Sequence, residues 1–209
     1  KICIHMKLQG PEYKIIPKWL SNTECDILYN RVIETEEYVK TTGPDEAAAL
    51  GQYSAYKETD ALGGRAGSYN HLDDDVIRGI IMPAIRRIFP DGLNVRMWAN
   101  TFRKGEGLGI HAHRDANAPN CPPKSWASCI LYCGGPTDGT WFNFQAEHSD
   151  LAFEREDVRV DNNKGDLIIF GADVPHWVPP HDTDGIRVSI AFDVCEGAGA
   201  GPPESLRPI

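Results

Sequence analysis

His111-Ala112-His113-Arg114-Asp115 is the stretch whose reading decides the fold and the chemistry of this chain. It offers two imidazoles and a carboxylate within five residues. Residues two apart on an extended strand point to the same side, roughly 7 Å apart at Cα. His113 and Asp115 can therefore converge on one ion, and so can His111 and His113. His111 and Asp115 are roughly 13 Å apart on a strand and share an ion only across a sharp bend. His113 is common to both pairs. A lone pair of this kind is weak evidence, but a further imidazole, His176, follows Gly165-Asp-Leu-Ile-Ile-Phe-Gly171 in Ala-Asp-Val-Pro-His176-Trp-Val.

Working outward, the glycine-bounded run 165–171 reads as a short buried strand. Gly185-Ile-Arg-Val-Ser-Ile-Ala-Phe-Asp193 reads as another, with Arg187 and Ser189 on one face. An arginine pointing into an apolar barrel needs an anionic partner, or its burial is costly. A dicarboxylate ligand would supply one through a bidentate pair. Short strands recur between Gly/Pro-rich turns, over 95–102, 108–115, 126–133, 139–144, 165–170 and 186–194. This cadence predicts a mainly β fold with supporting helices, a jelly roll or cupin-like double-stranded β-helix.

Ahead of the barrel, Cys25, Leu28, Val32 and Ile33 recur at helical spacing, predicting a helix over Thr23 to about Val39. Ser21, Asn22 and Thr23 are its N-cap candidates. A second helix is predicted over Asp73–Phe89, where Val76, Ile77, Ile80, Ile81, Ala84, Ile85 and Ile88 form one broad face. Pro83 kinks it or ends it early, and Asp73-Asp-Asp75 suits a helix N-terminus. Residues 41–70 read as loops over the site mouth. The whole is one domain: 1–94 helical support and covering loops, 95–196 the jelly-roll core, 197–209 an irregular tail.

At 209 residues the chain is long enough for one well-buried domain. Hydrophobic residues make up 41% and charged residues 24%, which excludes a disordered or membranous composition. No apolar run approaches a spanning helix and no signal peptide opens the chain. The net charge of −9 disfavours non-specific affinity for nucleic-acid phosphates. The six cysteines have neither CxxC nor metal spacing. Cys129 and Cys133 share an apolar face, as buried free thiols would, and a reducing cytoplasm is the expected setting.

Two imidazoles and a carboxylate on one face of an ion leave its other positions open, as non-haem Fe(II) oxygenases require; a closed structural site takes four ligands, usually rich in Cys. From about Val95 to Val194 the chain resembles the core of the 2-oxoglutarate/Fe(II)-dependent dioxygenases. The match lies in His-x-Asp, the distal His and an Arg-x-Ser eleven residues beyond it. The opening Ile16-Pro-Lys-Trp-Leu-Ser-Asn-Thr-Glu-Cys-Asp-Ile-Leu28 resembles the prolyl-hydroxylase-like branch. The resemblance implies His113, Asp115 and His176 as iron ligands and catalytic residues. It implies Arg187 on the far carboxylate of 2-oxoglutarate, Ser189 as its hydroxyl helper, and Asn100 touching the co-substrate. Fe(II), 2-oxoglutarate and O2 are the implied cofactors, with ascorbate as an accessory, and hydroxylation with release of succinate and CO2 is the implied outcome.

Two departures bear on the site. Counting six residues from a marker glycine, Gly107 leads to His113 but Gly105 leads to His111, so a three-His site (His111, His113, His176) stands beside the first set. Asp193 occupies the place where the nucleic-acid demethylase branch has a second arginine, which argues against a nucleic-acid substrate. The other reading is a cupin-like metal-binding protein or a cofactor-independent three-His dioxygenase. It lacks the expected Glu, since Asn117 and Ala118 stand there, and leaves Arg187 and Ser189 unexplained. Taken alone, His111 reads as a second-layer or substrate contact. Most tryptophans read as core, Trp177 as a possible pocket wall, and Arg103, Lys104, Arg114 and Lys124 as solvated charge. A small molecule, an amino acid or a peptide is the expected substrate, with no membrane partner and no signal for an oligomeric state.

Overall fold

The computed structural model describes residues 13–42, 66–67, 71–113, 125–145, 155–195 and 207–209. In chain order these form β1 (Tyr13–Ile16), α1 (Asn22–Thr42), β2 (Ala66–Gly67), a 3-10 turn (His71–Asp73) and α2 (Asp75–Ile85). Then come β3 (Asn94–Phe102), β4 (Leu108–His111), β5 (Ser125–Gly134), β6 (Thr140–Gln145) and β7 (Arg155–Val160). The last are β8 (Leu167–Phe170), β9 (His176–Val178), β10 (Arg187–Cys195) and β11 (Arg207–Pro208).

The strands form two antiparallel sheets of a jelly roll. The larger runs β1-β8-β5-β10-β3-β11, with β2 also paired to β3, and the smaller runs β4-β9-β6-β7. Strand β10 is the centre of the larger sheet. It pairs with β3 from Arg187↔Phe102 to Cys195↔Asn94 and with β5 on its other side. All nine of its residues are buried. The pleat divides them: Val188, Ile190, Phe192 and Val194 join the apolar cluster beneath the helices, while Arg187, Ser189, Ala191 and Asp193 face the smaller sheet.

The helices cover the outer face of the larger sheet, as the apolar spacing predicted. Cys25, Leu28 and Val32 of α1 and Ile77, Ile81 and Ile85 of α2 share one cluster with Val95, Met97, Leu131 and Ile190. Ser21 caps α1 in a reciprocal box: its hydroxyl accepts from the Glu24 N–H at 3.2 Å, and the Glu24 carboxylate accepts from the Ser21 N–H at 2.8 Å. Asp74 caps α2, accepting from the N–H groups of Val76 and Ile77, and also pairs with Arg31 of α1. The acidic run thus works as a helix start. Helix α2 ends at Ile85, short of the expected Phe89; it runs through Pro83, and the Arg86 N–H still reaches the Met82 carbonyl at 3.1 Å.

Two further apolar clusters lie between the sheets. One joins Ile130, Ile168 and Phe170 of the larger sheet to Phe142, Phe144 and Val160 of the smaller. The other joins Phe102, Leu108 and Val178. Gly107 permits the close approach of β4 to β9, because a Cβ there would lie 2.5 Å from the Val178 carbonyl oxygen.

Several boundaries differ from expectation. Strand β4 stops at His111 rather than 115, and β7, β9 and the two-residue β2 were not foreseen. The tail, expected to be irregular, ends in β11, which pairs Arg207 with Val95. Most of the expected covering loops (43–65 and 68–70) lie outside the described residues.

His71 opens the turn before α2 and is 4% exposed. Burial pushes its imidazole down to about 4 from an ordinary 6.5, against an upward pull from Asp74. The unfolded chain therefore takes up a proton that the fold resists. The stability of keeping His71 neutral is present above pH 6.5 and is lost as the pH falls towards 4. Urea unfolding of the metal-chelated protein should lose about 3 kcal/mol more across that window than His71→Leu does. Parallel profiles for the two proteins would contradict this.

Candidate metal centre

The inward row of β10 gathers the site. Each of its residues sits opposite an inward residue of β3: Arg187 against Phe102, Ser189 against Asn100, Ala191 against Trp98, Asp193 against Arg96. From the smaller sheet, β4 and β9 bring His111 directly opposite His176. His113 lies just beyond β4, with its N–H bonded to the Ala172 carbonyl at 2.9 Å. A cavity between the two inter-sheet clusters is lined by these histidines together with Asn100, Arg187 and Ser189.

His111, His113 and His176 offer nitrogen atoms that all lie within 4.8 Å of one another. The hydrogen bonds decide which nitrogen each presents. Nδ1 of His111 faces the Gly109 carbonyl at 2.9 Å, and Nδ1 of His176 faces the Val174 carbonyl at 3.0 Å. Nδ1 of His113 lies 2.7 Å from a carboxylate oxygen of Asp193. Each acceptor calls for an N–H at Nδ1, which leaves the Nε2 lone pair to coordinate. Burial, reinforced by the His113 and His111 imidazoles, holds His176 well below the ordinary histidine pKa, so it stays in the neutral form that binds metal.

Arg187 is 1% exposed. It donates to the Gly139 carbonyl at 3.0 Å and the Thr140 hydroxyl at 3.2 Å, both neutral. Its Nε has no partner among the described residues, and neither does the Asn100 side-chain oxygen. Burial pushes the guanidinium down to about 10, partly offset by Tyr132 and Asp138, and it remains charged at neutral pH. A buried cation held by neutral oxygens fits a ligand that carries a carboxylate. Three imidazoles at one end of the cavity and an unneutralised guanidinium in its wall thus suit a metal-chelating dicarboxylate.

The structure brings His113, His176, Arg187, Ser189 and Asn100 to one cavity, together with His111, which the three-His alternative includes. Asp115, Arg114 and Lys124 lie outside the described residues. Asp193, read from sequence only as an argument against one substrate class, instead bonds directly to His113. Trp98, grouped with core tryptophans, lines the cavity with its ring 5.0 Å from that of His113. Trp177 does not line it: β9 turns His176 and Val178 inward and leaves Trp177 stacked on Trp141 at 5.8 Å. Arg103 is tied in a fork to Glu36 of α1 rather than being free in solvent.

Residues 96–193 match a family model described as "Putative 2OG-Fe(II) oxygenase". No curated protein matches the chain in sequence. Among solved structures, a Pseudomonas putida prolyl-4-hydroxylase is similar over 90% of this chain and 94% of its own, with 15% identity and a TM-score of 0.56. The viral collagen prolyl hydroxylase of Paramecium Bursaria Chlorella virus-1, solved with 2OG, is similar over 94% of this chain and 100% of its own, at 14% identity and a TM-score of 0.52. A non-heme alpha ketoglutarate dependent epimerase of nogalamycin biosynthesis reaches a TM-score of 0.63 at 14% identity, over 93% of this chain and 81% of that one. At these identities the likeness is one of fold.

His113→Ala and His176→Ala should each abolish divalent-metal binding while the circular dichroism spectrum stays that of a folded barrel. His111→Ala and Asp115→Ala decide the third ligand. Loss of binding only in His111→Ala is the expected result, and loss only in Asp115→Ala would return the carboxylate to the ligand set.

Proposed function

We propose that this chain is a 2OG-Fe(II) oxygenase that hydroxylates a small-molecule, amino-acid or peptidyl substrate, with His111, His113 and His176 holding the iron and Arg187 holding 2-oxoglutarate, as the family-model match over residues 96–193 supports. The observation that carries this reading is the buried, unneutralised Arg187 in the same cavity as the three histidines. Iron with 2-oxoglutarate and O2 supplies oxidative decarboxylation to succinate and CO2, coupled to oxygen insertion into a C–H bond of the substrate.

The chain's own residues do the rest. The three tautomers are set in advance by Gly109, Val174 and Asp193, so little reorganisation accompanies metal binding. Arg187 orients the far carboxylate from a rigid central strand, and Asn100 and Ser189, paired across β3 and β10, supply polar contacts along the cavity. Leu108, Ile130 and Val178 give it apolar walls. Ala191 is the small member of its row, and a larger side chain there would intrude on the cavity it lines. The described cysteines, Cys25, Cys129, Cys133 and Cys195, are free, which supports a reducing, cytoplasmic setting. Among the described residues no helix is long and apolar enough to cross a membrane.

A screen for succinate release with Fe(II), 2-oxoglutarate and pools of amino acids, peptides and metabolites tests the activity and finds the substrate class. Turnover that is independent of 2-oxoglutarate would reject the reading. Arg187→Lys keeps a charge but loses the fork. It should weaken 2-oxoglutarate binding by roughly 10- to 150-fold, the effect of one charge-assisted contact worth about 1.5–3 kcal/mol. Metal affinity should barely change. Calorimetry showing wild-type 2-oxoglutarate affinity in Arg187→Ala would remove Arg187 from the co-substrate site.

A further inference from the structure

We propose that Asp193 is a positioning residue for the metal, fixing His113 in the tautomer that presents Nε2 and placing a negative charge behind that ligand. The inference rests on the reading of His113 as a ligand, which holds whether His111 or Asp115 completes the set.

The geometry is specific. Asp193 is 5% exposed in a strand buried from end to end. Its Oδ1 lies 2.7 Å from Nδ1 of His113 and 2.7 Å from the Ser128 hydroxyl, which is itself 3.0 Å from the same Nδ1. An ionised carboxylate can only accept. The single Ser128 proton goes to Asp193, so the Ser128 oxygen faces Nδ1 as a second acceptor. Both partners therefore require the hydrogen on Nδ1, which makes Nε2 the nitrogen that His113 offers to a metal. Arg96 approaches the other carboxylate oxygen at 3.3 Å and so favours the ionised state.

These groups are aligned by the sheet ladder. Arg96 on β3 and Ser128 on β5 are the direct register partners of Asp193 on β10. The carboxylate is thus held by three paired strands. Nδ1 of His111 and Nδ1 of His176 face backbone carbonyls, whereas Nδ1 of His113 faces a carboxylate. A carboxylate behind a ligating imidazole fixes its orientation and raises its basicity. A group that served only to fill buried space would have no such effect on the metal.

The test is anaerobic titration of metal-free protein with Co(II), followed by quenching of tryptophan fluorescence, since Trp98 stacks edge-on against His113. Asp193→Ala should weaken Co(II) binding by about 10- to 100-fold. Asp193→Asn should fall between Asp193→Ala and wild type, because its amide oxygen still accepts from Nδ1 but carries no charge; it also carries the test if Asp193→Ala fails to fold. Nitrogen-15 spectra of the metal-free protein should show His113 protonated at Nδ1 in the wild type and in Asp193→Asn. Co(II) affinity within about threefold of wild type in the folded Asp193 variants, against the 10- to 100-fold expected, would overturn the role of Asp193. Unchanged Co(II) binding in His113→Ala is a different failure, because it would overturn the metal-site reading itself.

Discussion

Burial of β10 on both faces is the constraint on which the rest of the structure depends. A strand with water on one side can carry polar residues there at no cost; this strand cannot. Its outer row, Val188 to Val194, is satisfied by the helices, and that packing fixes the register of the inner row. A slip of one residue would turn Arg187, Ser189 and Asp193 into the apolar cluster. The large cluster beneath α1 and α2 is therefore what holds the site's polar groups in position.

The inner row is expensive, and its expense is not fully compensated within the protein. Asp193 is settled: burial pushes its carboxyl up, but His113, Ser128 and Arg96 together outweigh this and hold it below the usual carboxylate range. Arg187 is not settled, having two neutral acceptors and a bare Nε among the described residues. An unneutralised buried cation persists where a ligand completes it. Strand β10 thus carries one finished ion pair, beside the histidines, and one unfinished one, and the cavity runs between them.

How far the sequence showed this depends on the residue. Arg187 and Ser189 were legible because a glycine-led apolar run fixed their strand and period two then fixed their face, and His176 because it follows the glycine-bounded run 165–171. Strand β7 was not, because Arg155-Glu-Asp-Val-Arg-Val is a charged edge strand with little apolar contrast. Trp177 was misplaced because its nearness in sequence to His176 was allowed to outweigh the strand alternation that puts it on the opposite face. Asp193 was the larger omission. Its alternation with Arg187 and Ser189 already placed it in the inner row, and a carboxylate there needs a cationic or imidazole partner. The expected strand ran on to Asp115, whereas β4 ends at His111, directly across from His176.

The most direct measurement is an anaerobic crystal structure with Mn(II) and 2-oxoglutarate. The account predicts the ion on the Nε2 atoms of His111, His113 and His176, with the far carboxylate of 2-oxoglutarate paired to the Arg187 guanidinium. A co-substrate bound elsewhere, leaving Arg187 with only Gly139 and Thr140, would contradict it.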